Sequence, residues 1–287
     1  MKKNNSILLS TPYILWMLLF TLIPLGVVAY YALTDPATGE FTLENMNALS
    51  AYLPVLWESI CYALISAVIC LLLGYPVAYY IAHRTPAVQK FLYMLVMLPM
   101  CMSFLLRTLA WVGLLQDTGL INRFLEWIGI GRVSLIRTPG AVILGMVYNY
   151  LPYMILPLYS TIVKIDNRLI EAAEDLGCNG VQTFGRVILP LSAPGIFTGI
   201  TMVFVPAVST FYISQKLGGT DTVLIGDVIE RLFKQGQNQN LGAALSLVLM
   251  ACAGFFPSLF CCFCAPFPLL ALFTGLLGVL LPPFPPL

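Results

Sequence analysis

The chain has 287 residues, of which 59% are hydrophobic and only 9% are charged, and its formal net charge is +1. Soluble domains carry about 25% charged residues, so this composition excludes a water-soluble globular protein. A charge balance near zero also gives no basis for binding nucleic acid. We therefore expect an all-α polytopic protein embedded in a lipid bilayer.

Six apolar segments are long enough to cross a bilayer, because a spanning helix needs about 20 predominantly apolar residues. The first segment is predicted to be a retained span, because its run of about 27 apolar residues exceeds the 7–15 of a signal-peptide core. The six predicted spans are Ile7–Leu33, Ile60–Ala82, Phe91–Leu115, Ala141–Val163, Leu191–Ser214 and Leu241–Cys264.

The placement of the basic residues predicts the orientation. Lys2 and Lys3 precede the first span, and Arg84 and Lys90 lie between the second and third spans. The loop after the first span carries acidic residues only. Because Lys and Arg concentrate in cytoplasmic loops, we expect a cytoplasmic N-terminus. With six spans, the long loop at 164–190 is then cytoplasmic too.

The remaining segments outside the spans give less defined predictions. Leu120–Ile128 and Thr222–Lys234 have apolar stripes at helical spacing, so they either lie on the membrane or pack on the spans. Residues 1–264 are expected to form the membrane domain, with core spans over 59–264. Residues 265–287 form an atypical apolar tail, which could be a partial span, an interfacial segment or the product of a reading-frame error. We expect Phe267–Leu281 not to complete a crossing, because prolines follow it.

The sequence lacks the common catalytic, nucleotide-binding and metal-binding motifs. It has no Gly-Lys pair, which excludes a phosphate-binding loop, and no G-x-S-x-G hydrolase signature. His83 is the sole histidine and Arg84 follows it, so an H-E-x-x-H metalloprotease site is excluded. The eight cysteines have no zinc-ligand spacing. We expect no catalytic residue, no metal and no cofactor, and hence not an enzyme.

The long loop at 164–190, here named the elbow, is predicted to be helix, stop, helix. Strong helix formers run from Glu171 to Leu176. Gly177 is a typical helix end, and Asn179-Gly180 is typical of a turn. A second helix then leads through Pro190 into the fifth span. Such an elbow could transmit force from a partner protein.

The elbow resembles the loop of ABC-importer permeases with the consensus E-A-A-x-x-x-G, followed after nine residues by I-x-L-P. Val187 replaces the consensus Ile and keeps its β-branched apolar character. The resemblance extends over roughly residues 5–250 and is closest to the B-type permeases of spermidine/putrescine importers, through residues 73–78, 103–108, 151–160 and 224–229. The matching elbow residues are Glu171, Ala172, Ala173, Gly177, Val187, Leu189 and Pro190.

This resemblance implies a type I importer permease fold with six transmembrane helices in the bacterial inner membrane. It also implies a heterodimer with a second permease, a cytoplasmic ATPase dimer that docks on the elbow, and a periplasmic or extracellular substrate-binding protein. The implied solute is a polyamine. Beyond residue 250 the resemblance ends, since the basic tail usual in the family is missing.

The residues themselves suggest candidates for the path or gate of a cation. Aromatic faces attract cations, and the predicted spans contain no acidic residue. Arg107 is a charge within an apolar run, so it is either a gate or docking residue or an interfacial anchor beside Trp111. The aromatic candidates are Tyr148, Tyr153 and Tyr159, taken as one face of the fourth span, and Tyr212.

Two other classes of function compete with an ABC permease. A stand-alone secondary transporter of a small organic solute would favour internal repeats and ionisable groups at mid-membrane, which the sequence lacks. A membrane assembly or signalling protein would leave the elbow unexplained. Binding of a cytoplasmic ATPase separates the permease from both alternatives.

Overall fold

The computed structural model describes residues 12, 15–35, 40–42, 45, 48–129, 131–219, 222–234 and 238–264, with the backbone alone over 256–264. These residues are mainly helical, which confirms the all-α class. The helices are α1 (Leu15–Ala32), α2 (Leu53–Ala82), α3 (Pro86–Met97), α4 (Phe104–Leu115), α5 (Leu120–Ile128), α6 (Pro139–Ile162), α7 (Asn167–Asp175), α8 (Gly180–Val208), α9 (Tyr212–Leu217), α10 (Ile225–Lys234) and α11 (Gln239–Cys264).

Four of these helices are long and apolar enough to cross a membrane, namely α1, α2, α6 and α8. A fifth crossing results if α3 and α4 together form one bent span. In α11 the side chains are described only as far as Phe255, and that part is shorter than a span. The count of six therefore stays a prediction. The start of the first predicted span and the tail at 265–287 lie outside the described residues.

The third predicted span, Phe91–Leu115, is a bent pair of helices rather than one helix. The chain bends by 87° between its two halves. Pro99 lies in a 3-10 turn after α3, and Met102 and Ser103 are extended before α4 begins. Proline has no N–H to continue a helical ladder, which accounts for the break. By contrast, Pro76 is accommodated inside α2.

The fifth predicted span is also shorter than expected at its end. α8 ends at Val208 rather than Ser214, and the chain starts again in the separate short helix α9. Phe211, the last of the three residues between them, has φ −130° and ψ −33°, outside helical values. A hydropathy pattern cannot detect this break, because the apolar run continues across it.

A stripe of small residues lets the central helices α2, α6 and α8 approach one another closely. On α2, Ala63, Ala67, Cys70 and Gly74 recur every three to four residues and are all buried. A Cβ atom on Gly74 would lie 3.2 Å from the Cγ atom of Met154 on α6. Small residues at helix crossings are typical of membrane bundles, where packing rather than water exclusion drives association.

The outward faces of the bundle are apolar. Leu72 on α2 is 68% exposed, and Leu106 on α4 and Met202 on α8 are exposed as well. Apolar side chains on this scale favour contact with lipid rather than water. Both the core and the outer surface of the bundle are therefore apolar, as the composition indicates.

Candidate functional site

The first helix of the elbow, α7, ends in a hydrogen-bonded turn built on a glycine. Gly177 has φ +82°, a conformation that residues with a Cβ atom rarely adopt. Its N–H donates to the Glu174 carbonyl oxygen (2.9 Å), and the Cys178 N–H donates to the Ala173 carbonyl oxygen (3.0 Å). This pair of bonds is a Schellman motif. The predicted helix end at Gly177 is therefore confirmed.

The second helix of the elbow starts two residues later and continues into the bundle. The Asn179 side chain accepts from the Gln182 N–H (2.9 Å), and the Gln182 side chain accepts from the Asn179 N–H (3.1 Å). This reciprocal capping box fixes the start of α8. α8 runs from Gly180 to Val208 and contains a π-helical turn at Phe184–Ile188, so the second helix of the elbow and a central helix of the bundle are one helix.

The tip of the elbow presents apolar side chains to solvent. Leu176 is 86% exposed and Val181 is 82% exposed, on either side of the Gly177 turn. Ala173 is buried, whereas Glu171 and Ala172 are exposed. Exposed apolar residues outside the lipid-facing surface mark sites of protein contact.

An aromatic cluster joins the elbow to the helix α2. The Phe184 ring packs edge-on against Tyr75 (5.4 Å between centroids) and Tyr79 (6.2 Å). The hydroxyls of Tyr75 and Ser192 are hydrogen-bonded at 2.9 Å. The elbow is therefore held to α2. The motif residues Val187, Leu189 and Pro190 follow Phe184 in α8, where it enters the bundle.

A cleft of about 290 Å³ separates the α2–α3 turn from the start of the elbow. Its walls include Arg84 and Gln89 on one side and Asn167 and Ile170 on the other. The Gln89 side chain donates to the Arg84 carbonyl oxygen (2.8 Å) and accepts from the Tyr159 hydroxyl (3.3 Å). Tyr159 therefore braces the turn at the elbow end of α6.

The three candidate tyrosines of α6 do not share one side of the helix, and their role on a solute path stays a prediction. Tyr148 packs edge-on against Trp111 of α4, and Tyr159 packs against Tyr93 of α3, each with 5.4 Å between ring centroids. A helix turns 100° per residue, so these two tyrosines lie about 20° apart around α6. The same period places Tyr153 about 140° from Tyr148. Tyr148 and Tyr159 share a side of α6, and Tyr153 does not.

Arg107 and Tyr212 lie at the junction of α4 and α9. The Tyr212 ring packs against Phe104 (6.2 Å), and the Lys216 ammonium lies 5.8 Å from the centroid of the same ring. Arg107, one turn after Phe104, is 6% exposed, and its Nε and Nη1 atoms have no hydrogen-bond partner among the described residues. Burial of the guanidinium inside the bundle favours the gate or docking role over an interfacial anchor, and both stay predictions.

Asp227 is a candidate that the sequence reasoning missed. It is 4% exposed, and its Oδ2 atom accepts from the Leu224 N–H (3.0 Å). Burial raises the pKa of this carboxyl, and Glu230 raises it further, while hydrogen-bonding groups of Ser214, Leu224 and Gln215 oppose the shift. One signal was present in the sequence: Asp227 lies one turn after Leu224, on the apolar face of an amphipathic helix.

The family model and the relatives that match this chain are all membrane components of transport systems. Residues 71–267 match the family model described as a binding-protein-dependent transport system inner membrane component. The chain is 42% identical over 248 residues to the spermidine/putrescine transport system permease protein PotB of Haemophilus influenzae, covering 82% of this chain and 87% of the relative. It is 40% identical to PotB of Escherichia coli, covering 83% and 90% respectively.

The fold also matches solved transporters. A bacterial alginate ABC transporter, in complex with an alginate pentasaccharide-bound periplasmic protein, aligns with a TM-score of 0.71 at 20% identity. The alignment covers 90% of this chain and 93% of that one. At this identity the likeness concerns the fold alone.

Proposed function

The chain belongs to the family of inner membrane components of binding-protein-dependent transport systems, and from that membership we propose that it is the permease subunit of an ATP-driven polyamine importer. The solutes are spermidine and putrescine, a proposal supported by the names of the relatives that are 40–42% identical. The chain itself moves solute and does not hydrolyse ATP.

The proposed complex contains a second permease, a cytoplasmic ATPase dimer and a soluble binding protein on the outer side. The N-terminus and the elbow then face the cytoplasm. The alginate transporter, which pairs a similar fold with a periplasmic protein, supports the external partner.

The elbow carries the proposal that ATP hydrolysis is coupled through this chain. Its tip exposes Leu176 and Val181 at the Gly177 turn, and its second helix runs unbroken into the core. An ATPase that buries the tip and moves on ATP binding would displace α8 directly. Phe184 would pass the same displacement to α2 through Tyr75.

Replacing Leu176 with Gln tests the docking. Burying a leucine is worth about 1.5–3 kcal/mol, so the variant should hold the ATPase at least about tenfold more weakly and import less polyamine. Because the side chain is exposed, the thermal unfolding of the permease should not change.

Leu120→Gln is the matched control. Leu120 is exposed on α5, which precedes α6, whereas the elbow follows α6, so the two leucines lie at opposite ends of that helix. The measurement is the amount of ATPase that co-purifies with each permease variant. Equal recovery of the ATPase with Leu176→Gln and with wild type would contradict docking at the elbow tip.

A further inference from the structure

Three buried polar side chains with unsatisfied atoms lie on helices that pack against the short helix α9. They are Arg107 on α4, Asn149 on α6 and Asp227 on α10, each no more than 6% exposed. Among the described residues, no hydrogen-bond partner exists for Arg107 Nε and Nη1, Asn149 Oδ1 or Asp227 Oδ1. α9 packs against all three of the helices that carry them. Unpaired buried polar atoms cost stability, so their grouping calls for a functional reason.

The Asp227 carboxylate is held firmly by the structure around it. Its Oδ2 atom accepts from the Leu224 N–H (3.0 Å). The next residue, Ile225, donates its N–H to the Ser59 hydroxyl of α2 (2.8 Å), which fixes the start of α10 to the core. Ser214 and Gln215 of α9 lie near enough to lower the pKa of this carboxyl, but the Ser214 hydroxyl donates to the Phe211 carbonyl oxygen (2.9 Å) and the Gln215 side chain donates to Glu230. Neither forms a hydrogen bond with Oδ1. The Oδ1 atom is therefore positioned but unused.

We propose that Asp227 Oδ1 accepts a hydrogen bond from an ammonium group of the polyamine as it passes α9. This inference rests on the proposed function and identifies the residue that recognises the positive charge of the solute. A carboxylate oxygen with a free lone pair is the natural acceptor for an ammonium donor, and such charge-assisted bonds are the strong ones. The predicted spans themselves contain no acidic residue that could do the same.

The solute reaches Asp227 when α9 and α10 separate. A side-chain hydrogen bond from Gln215 of α9 to Glu230 of α10 joins the two helices at the surface. Exposed polar contacts of this kind contribute little, so breaking it costs little. α9 has only six residues, with Phe211 before it and Gly218 after it outside helical values. The breaks on either side separate α9 from the spans, while its Ile213 and Leu217 side chains are buried against Gly145 of α6. The contact that opens is therefore the one between α9 and α10.

Arg107 lies on α4, which packs against α9 as α10 does, and it carries the opposite charge to Asp227. A guanidinium repels an ammonium group, so Arg107 does not itself hold the solute. Neutralising Asp227 should weaken the attraction for every polyamine. If Asp227 had only a structural role, replacing its carboxylate with the neutral amide of Asn would destabilise the fold.

The test compares Asp227→Asn with Asp117→Asn in the complete transporter reconstituted in liposomes. Asp117 is an exposed aspartate on the segment between α4 and α5, which makes it a matched control. Uptake of radiolabelled spermidine and putrescine and thermal unfolding are measured for each. Loss of a charge-assisted hydrogen bond should lower uptake by Asp227→Asn at least about tenfold, with no loss of thermal stability, and leave Asp117→Asn at the wild-type rate.

Several results would overturn the inference. They are wild-type uptake by Asp227→Asn, or a loss of uptake that accompanies a lower unfolding temperature or failure to assemble. Rescue of Asp227→Asn by Arg107→Met would show that the two side chains pair with each other rather than with solute. If the wild-type transporter imports neither polyamine, the proposed function itself is refuted. If wild type and Asp227→Asn import polyamines equally, only the role of Asp227 is refuted.

Discussion

The turn at Gly177 offers a sharp test of the elbow, through the substitution Gly177→Val. The φ of +82° lies in the left-handed region, where an L-residue with a Cβ atom costs about 1–2 kcal/mol and a β-branched one costs more. A difference of 1.4 kcal/mol changes an equilibrium constant tenfold. The population of the native turn relative to other backbone conformations should therefore fall roughly 5- to 30-fold. The two hydrogen bonds that close α7 are lost with it, and Leu176 is displaced from the tip.

Gly180→Val provides the matched control for this prediction. A Cβ atom at either glycine would meet open space, so crowding is the same at both positions. Gly180 begins α8 with a helical backbone, where Val is tolerated better than Gly. The assay is polyamine uptake by the complete transporter, together with the amount of bound ATPase.

We expect Gly177→Val to lose most uptake and ATPase binding, while Gly180→Val retains both. If Gly177→Val assembles with its ATPase and imports at the wild-type rate, the backbone conformation of this turn has no part in coupling. If both variants fail equally, the effect comes from adding a side chain at the elbow and not from the positive φ.

Two further predictions concern the bundle. Arg107→Met should raise the unfolding temperature, because it removes two buried donors whose missing hydrogen bonds cost about 1–3 kcal/mol each; a lower unfolding temperature would show that the guanidinium has a partner. Tyr148→Ala should slow polyamine uptake severalfold without changing solute binding by the external protein, whereas Tyr148→Phe keeps the ring against Trp111 and should import normally. Unchanged uptake in Tyr148→Ala would leave that ring with a packing role alone.

Local chemistry made the elbow and the long spans predictable from the sequence. A helix end at Gly177 and a helix start at Asn179 depend on hydrogen bonds within about five residues. The apolar runs of α2 and α6 depend on composition over about 20 residues. These ranges are short enough for a pattern along the chain to contain the cause, and both features appear where they were predicted.

The positions of the charged and aromatic candidates depended on tertiary structure. Ser59 and Ile225, whose hydrogen bond anchors α10 and so buries Asp227, are 166 residues apart in the chain. The enclosure of Arg107 likewise depends on the packing of α9 against α4, and the ring partners of Tyr148 and Tyr159 depend on which helices flank α6. Hydropathy sums over neighbours in sequence, whereas burial and hydrogen bonding are set by neighbours in space. The sequence by itself therefore determined the membrane class and the elbow, and only the packing of the helices decided which charges are enclosed and left unpaired.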